Sequence, residues 1–185
     1  SALKKRMESL DLDFQYLDFK DSGATGEYLT IVNKFTGDEM EFFLDNDNVF
    51  SQGMDKDQSD KIRSYIDLQM EYPEYTYLTD KIRKMEYEAL GDPELFGITQ
   101  NEYGGISKRK ENAWEDIKSG AKYRSNPTMY NRMYDEEIQN LIDLSKNPEY
   151  IQAKRELSSV ISDMSSYALK DDNTAFAFSK MKANN

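Results

Sequence analysis

Residues 147–168 read NPEYIQAKRELSSVISDMSSYA, and the apolar positions in this stretch set the character of most of the chain. Ile151, Leu157, Ile161, Met164 and Ala168, with Lys154 as the one polar member, recur at three- and four-residue spacing. That period keeps one face of an α-helix apolar for about five turns. Asn147-Pro148 opens the run: an Asn side chain accepts from first-turn amides, and Pro presets the helical φ at a position whose N–H has no partner to lose.

The same punctuation recurs upstream. Asn126-Pro127 precedes a stripe of Tyr130, Tyr134, Ile138, Leu141 and Ile142, and Asp92-Pro93 follows a stripe of Leu78, Ile82, Met85 and Ala89 that Gly91 stops. Between them Ile106, Lys110, Ala113, Trp114 and Ile117 read as a further helix closed by Gly120, with Gly104-Gly105 as its hinge or cap. The earliest stripe is Ile62, Tyr65, Ile66 and Met70, and Pro73 separates it from the next. Because Asn147-Pro148 leaves almost no linker, the last two long helices are expected to fold as an antiparallel hairpin.

Ahead of Asp45 the apolar period falls to two. Leu10, Leu12, Phe14 and Tyr16 alternate with Asp11, Asp13 and Gln15, Tyr28 to Phe35 carries β-branched and aromatic residues, and Met40, Phe42 and Leu44 resume the alternation after a Thr36-Gly37-Asp38 turn. The predicted class is therefore α+β: an N-terminal three-stranded antiparallel meander over residues 10–45, followed by a mainly helical region of four to six helices. A β-meander subdomain at 1–50 and a helical region at 51–185 are expected to pack together as one domain.

Composition narrows the chemistry. The 185 residues are 38% hydrophobic and 32% charged, so the core is thin or completed by a partner, while 13 Tyr, 9 Phe and 9 Met supply side chains suited to both cores and interfaces. There is no Cys and no His. Their absence removes disulfides, thiolate nucleophiles, zinc ribbons, Ser-His and Cys-His triads and the commonest neutral-pH acid–base. No apolar run approaches the roughly 20 residues that span a bilayer, and Lys4-Lys5-Arg6 is not followed by an apolar stretch. A cytoplasmic protein without membrane partners is expected, or one carried in a virion.

Net charge is −11, which disfavours general nucleic-acid binding. The charge is uneven: residues 1–60 hold 14 acidic and 6 basic side chains, whereas residues 104–132 hold 7 basic and 3 acidic. In that basic segment Lys108, Arg109, Lys110, Lys118, Lys122, Arg124 and Arg132 surround Trp114, Tyr123 and Tyr130. Such a mixture can hold single-stranded nucleic acid or dock an acidic protein surface, and these ten residues are the interaction candidates.

Other constellations are weaker. Asp45, Asp47, Asp55, Asp57 and Asp60 cluster without a calcium-loop pattern, since Lys56 stands where a bidentate Glu is needed. Asp18-Phe19-Lys20 has the acid-x-Lys form of metal-dependent nucleases, with Asp11 or Asp13 as a second carboxylate, but the tripeptide is short and common. Asp135-Glu136-Glu137 and Glu115-Asp116 read as solvated helix faces, and Gly104-Gly105 is no phosphate cradle.

By subtraction the leading expectation is a non-enzymatic assembly or adaptor protein, without cofactor or metal, working through contacts with copies of itself or other subunits. The richness in Asn, Lys, Tyr and Asp gives it the look of a phage virion component. An acidic inhibitor imitating nucleic acid and a metal-dependent nuclease at Asp18 and Lys20 are the alternatives.

Overall fold

The computed structural model of the chain describes the backbone of residues 17–21, 28–33, 39–43, 56–102 and 104–183, and side chains from 60 to 182 apart from 62 and 103. Seven α-helices lie among the described residues: α1 Lys56–Glu71, α2 Pro73–Ala89, α3 Ala113–Lys118, α4 Ala121–Ser125, α5 Pro127–Ser145, α6 Pro148–Tyr167 and α7 Asp172–Ala183. Two 3-10 helices, Pro93–Phe96 and Ala168–Lys170, make corners.

The expected α+β class is corrected. Over residues 60–182, where side chains are described, the chain is 79% helical and holds no strand and no sheet. The reason is that the helices satisfy one another: all three core clusters among the described residues are built by helices and the loops between them. No sheet face is needed to complete this interior, so the class of the described body is mainly α.

Nearer the N-terminus the backbone forms three short segments of extended chain, β1 Leu17–Asp21, β2 Tyr28–Asn33 and β3 Glu39–Phe43, paired antiparallel in chain order. The stretch Leu10 to Tyr16, where the alternation places the first strand, lies outside the described residues, as do the loop at 22–26 and the turn at 36–38.

Proline and asparagine do what the sequence demands of them. Pro73, Pro127 and Pro148 each stand in the first turn of a helix. The Asn126 side chain accepts from the Met129 N–H, and the Asn147 side chain from Glu149 and Tyr150, which occupies amides that have no partner inside the helix.

Packing, however, follows a different pairing from the expected hairpin. The main partner of α6 is α2, with Leu78 and Ile82 of α2 against Tyr150 and Ala153 of α6. The stripe read in the sequence holds at Leu157, Ile161, Met164 and Ala168, which are buried or packed against the core, and departs from it in the first turns of α6, where Tyr150 and Ala153 are interior and Lys154 is exposed. At the far end α1 packs on α7, an element the sequence reading did not mark, and Tyr65, Ile66 and Leu68 meet Met164, Ala177 and Met181. Met70, placed on the α1 core stripe by periodicity, is 51% exposed. Leu157 and Val160 touch both clusters, so the two join into one interior.

The third helix also needs correction, because Ile106 does not belong to it. It sits in an isolated antiparallel bridge with Gln100, and the intervening turn is closed by the Asn101 N–H donating to the Gly105 carbonyl at 2.8 Å. Gly104 takes φ +86° there, a backbone state that suits glycine. The bridge drops Ile106 into a cluster with Leu90, Leu95, Phe96 and Ile98. A helical spacing has arisen from a hairpin and a short helix placed in series.

Candidate functional site

The basic segment wraps an aromatic stack. Trp114 lies parallel to Tyr134 at 4.2 Å between ring centroids and 8° between planes, and Tyr134 continues onto Phe96 at 5.5 Å. Tyr123 meets Trp114 edge-on at 5.8 Å and Tyr130 at 6.0 Å. Three of the candidates, Trp114, Tyr123 and Tyr130, are thus brought together, but by packing on one another and on the Leu90–Ile106 cluster. The Trp114–Tyr134 stack uses one face of the Trp114 ring, and Trp114, Tyr123 and Tyr130 are all half-buried, so the cluster is first of all a packing unit of the fold.

The cations separate into groups. The Lys118 ammonium pairs with Glu115 at 3.0 Å and stands 6.0 Å over the Trp114 ring. Lys110 lies beside Gly97, where an added Cβ would come within 2.7 Å of the Lys110 Cβ. Lys108, Lys122, Arg124 and Arg132 are exposed around the stack. Arg109 turns the other way: one guanidinium N–H donates to Glu86 Oε1 at 3.2 Å, and the head stands 6.0 Å from the Phe96 ring centre.

Glu86 is the pivot of this second group. The same Oε1 accepts from the Tyr150 hydroxyl at 2.7 Å, so one carboxylate ties α2 to the Arg109 loop and to the first turn of α6. Burial first, then the hydrogen bond and the charge of Glu86, push the Tyr150 phenol well above its ordinary pKa. Glu137, expected on a solvated face, is another internal tie: it is only 6% exposed, and its two oxygens accept from the Gly91 and Asp92 amides at 3.0 Å each. These two carboxylates fix α2, α5 and α6 relative to one another.

Between α5 and α6 lies a groove of about 720 Å³, and the Glu86 tie fixes two of its lining residues, Arg109 and Tyr150. Ile138, Leu141 and Ile142 of α5 and Ile151 of α6 supply its apolar surface, and Arg109, Lys154 and Arg155 are its charged lining residues. Among the described residues no carboxylate lines it, although Glu86 Oε1 is bonded to two of the lining residues, Arg109 and Tyr150. The Lys154 ammonium stands 5.4 Å over the Tyr150 ring, which steadies it at the wall. Ile142 keeps 44% of its surface exposed.

Of the groove, only Arg109 was among the candidates. The signal was nevertheless written in the sequence: Ile142 beside Ile138 and Leu141 on one helix, and Ile151 on the next, extend the apolar stripes past the residues packed on the Leu90–Ile106 cluster. Asp18 and Lys20 fall in β1 opposite Val32 and Thr30 by backbone pairing, and their side chains, like those of Asp11, Asp13, Asp45, Asp47, Asp55 and Asp57, lie outside the described residues. Among the described residues no group of three or more acidic side chains is arranged to hold a metal ion, and no helix is long and apolar enough to cross a membrane. No protein-family model matches the chain, and neither a curated protein nor a solved structure matches it.

Proposed function

We propose that this chain is a non-enzymatic assembly or adaptor protein acting through protein–protein contacts, with a phage virion as the setting that its composition suggests. The observation that carries the reading is the α5–α6 groove, an apolar floor edged by Arg109, Lys154 and Arg155, with Arg109 and Tyr150 fixed by the Glu86 carboxylate. An apolar patch rimmed by charge of one sign is the make-up of a docking surface, the apolar part supplying affinity and the charges orientation. On a chain of −11, Lys154 and Arg155, together with an Arg109 already paired to Glu86, select an acidic partner. Trp114, stacked on Tyr134, and Tyr134, stacked also on Phe96, have less ring surface to offer nucleic-acid bases, which favours a protein partner.

The test is a photoreactive residue at Ser158, on the groove rim, introduced in cells that make the chain. The expected product is a covalent adduct with a protein, lost when Lys154→Glu and Arg155→Glu are combined with it. An adduct with RNA or DNA, or a protein adduct indifferent to the double reversal, would overturn the reading.

A further inference from the structure

The described surface also carries a feature shaped to enter this groove. Leu169, in the 3-10 corner between α6 and α7, is 85% exposed, far above the other large apolar side chains on the described surface. Its neighbour Lys170 is drawn back, donating from Nζ to the Tyr167 hydroxyl at 3.0 Å and standing 4.6 Å over that ring. Asp171 and Asp172 follow directly, both exposed, and Asp171 is fixed in place by accepting from the Thr174 N–H at 2.8 Å. A projecting leucine beside two carboxylates is the complement, in shape and in charge, of a groove floored by isoleucine and leucine and edged by Lys154 and Arg155, the charge of Arg109 being already met by Glu86.

Resting on the reading of the chain as an assembly protein, we infer that the α5–α6 groove receives the Leu169–Asp172 corner of a second copy. Within one molecule the two cannot meet. Lys154 and Leu169 are separated along α6 and its continuation by roughly 20 Å at the helical rise per residue. The contact is therefore between different surfaces of two copies, head to tail, and each copy keeps one free groove and one free corner. Such an interface propagates into a filament, or closes into a ring where the rotation per step allows it. A single corner in a single groove covers less surface than a stable dimer needs, so the association is weak, dependent on concentration and reduced by salt.

Sedimentation velocity of the wild-type chain from about 10 μM to about 1 mM, at low and moderate salt, reads this directly. Leu169→Asp removes the corner and Ile142→Glu blocks the groove; both sites are exposed, and unchanged thermal melts confirm the fold. Each variant alone is expected to associate at least about tenfold more weakly, from the loss of one apolar side chain's burial. Mixed, they restore one sound groove and one sound corner, and should give a one-to-one dimer that grows no further. A wild-type chain that stays monomeric throughout, a Leu169→Asp chain that associates like the wild type, or a mixture that remains monomeric overturns the inference. Each of these leaves a protein adduct at Ser158, and with it the assembly reading, intact; an adduct with nucleic acid sinks that reading whatever the sedimentation shows.

Discussion

Replacing Glu137 by Ala tests whether this carboxylate ties α2 to α5. The two Glu137 oxygens accept from the Gly91 and Asp92 amides at 3.0 Å, and Oε1 also accepts from the Asn140 side chain at 3.0 Å. A hydrogen bond to a charged group contributes about 1.5–3 kcal/mol where water is excluded. Gly91 is exposed and Asp92 half-buried, so water takes over part of each bond. About 1 kcal/mol per amide, with a similar amount for the emptied side-chain volume, gives a loss of roughly 2–4 kcal/mol. For a chain of this length that lowers the melting temperature by roughly 5–15 °C.

Glu137→Gln keeps the volume and one acceptor oxygen but turns an amide NH2 toward a backbone donor, so about half the loss is expected. The assay is a thermal melt followed by far-ultraviolet circular dichroism, paired with amide exchange at Gly91 and Asp92. If Glu137→Ala melts within about 2 °C of wild type and both amides keep their exchange rates, the clamp contributes nothing and the account of how α2 is held to α5 is wrong.

Trp114→Ala removes the end of the Phe96–Tyr134–Trp114 stack and, the ring being half-buried, should cost about 2–3 kcal/mol in urea denaturation; a cost under about 0.5 kcal/mol would show the stack to be incidental. Gly97→Ala places a Cβ at φ +67° and 2.7 Å from the Lys110 Cβ, so a loss of about 1–3 kcal/mol is expected, and a neutral result would contradict the left-handed corner. Tyr150 gives a pH dependence of definite sign. Above about pH 10 an unfolded phenol ionises while the buried Tyr150 hydroxyl keeps its proton, so the folded state binds more protons and stability falls as pH rises, with no contribution below that range. Urea midpoints between about pH 9 and pH 11.5 should therefore decline more steeply for wild type than for Tyr150→Phe, and parallel slopes would refute the assignment.

The starts of α2, α5 and α6 were legible because the signals that set them are local. Asn126 and Asn147 cap amides within three residues of themselves, Pro73, Pro127 and Pro148 fix φ at first-turn positions, and Leu78 with Ile82 states a periodicity that needs no knowledge of the partner. α7 was missed for a local reason too. Its apolar residues lack a clear stripe, although Asp171 accepting from the Thr174 N–H and hydroxyl gave a cap three residues apart that a closer reading would have found.

What the sequence by itself determined, then, is that the chain from Lys56 onward forms amphipathic helices divided by prolines, with no thiol or imidazole to carry chemistry. Only the tertiary structure decided that α6 packs on α2, that Ile106 reaches its cluster through a bridge with Gln100, and that Trp114 faces Tyr134 instead of solvent. It alone turned Glu86 and Glu137, two acids in a chain rich in them, into ties between helices, and left Ile142 and Ile151 over as the wall of a groove. The physical reason is the range of the interactions. Caps and periodicity act within a few residues along the chain, whereas the choice of partner face is a competition among all the apolar surfaces at once, and its outcome is carried by no single stretch of sequence.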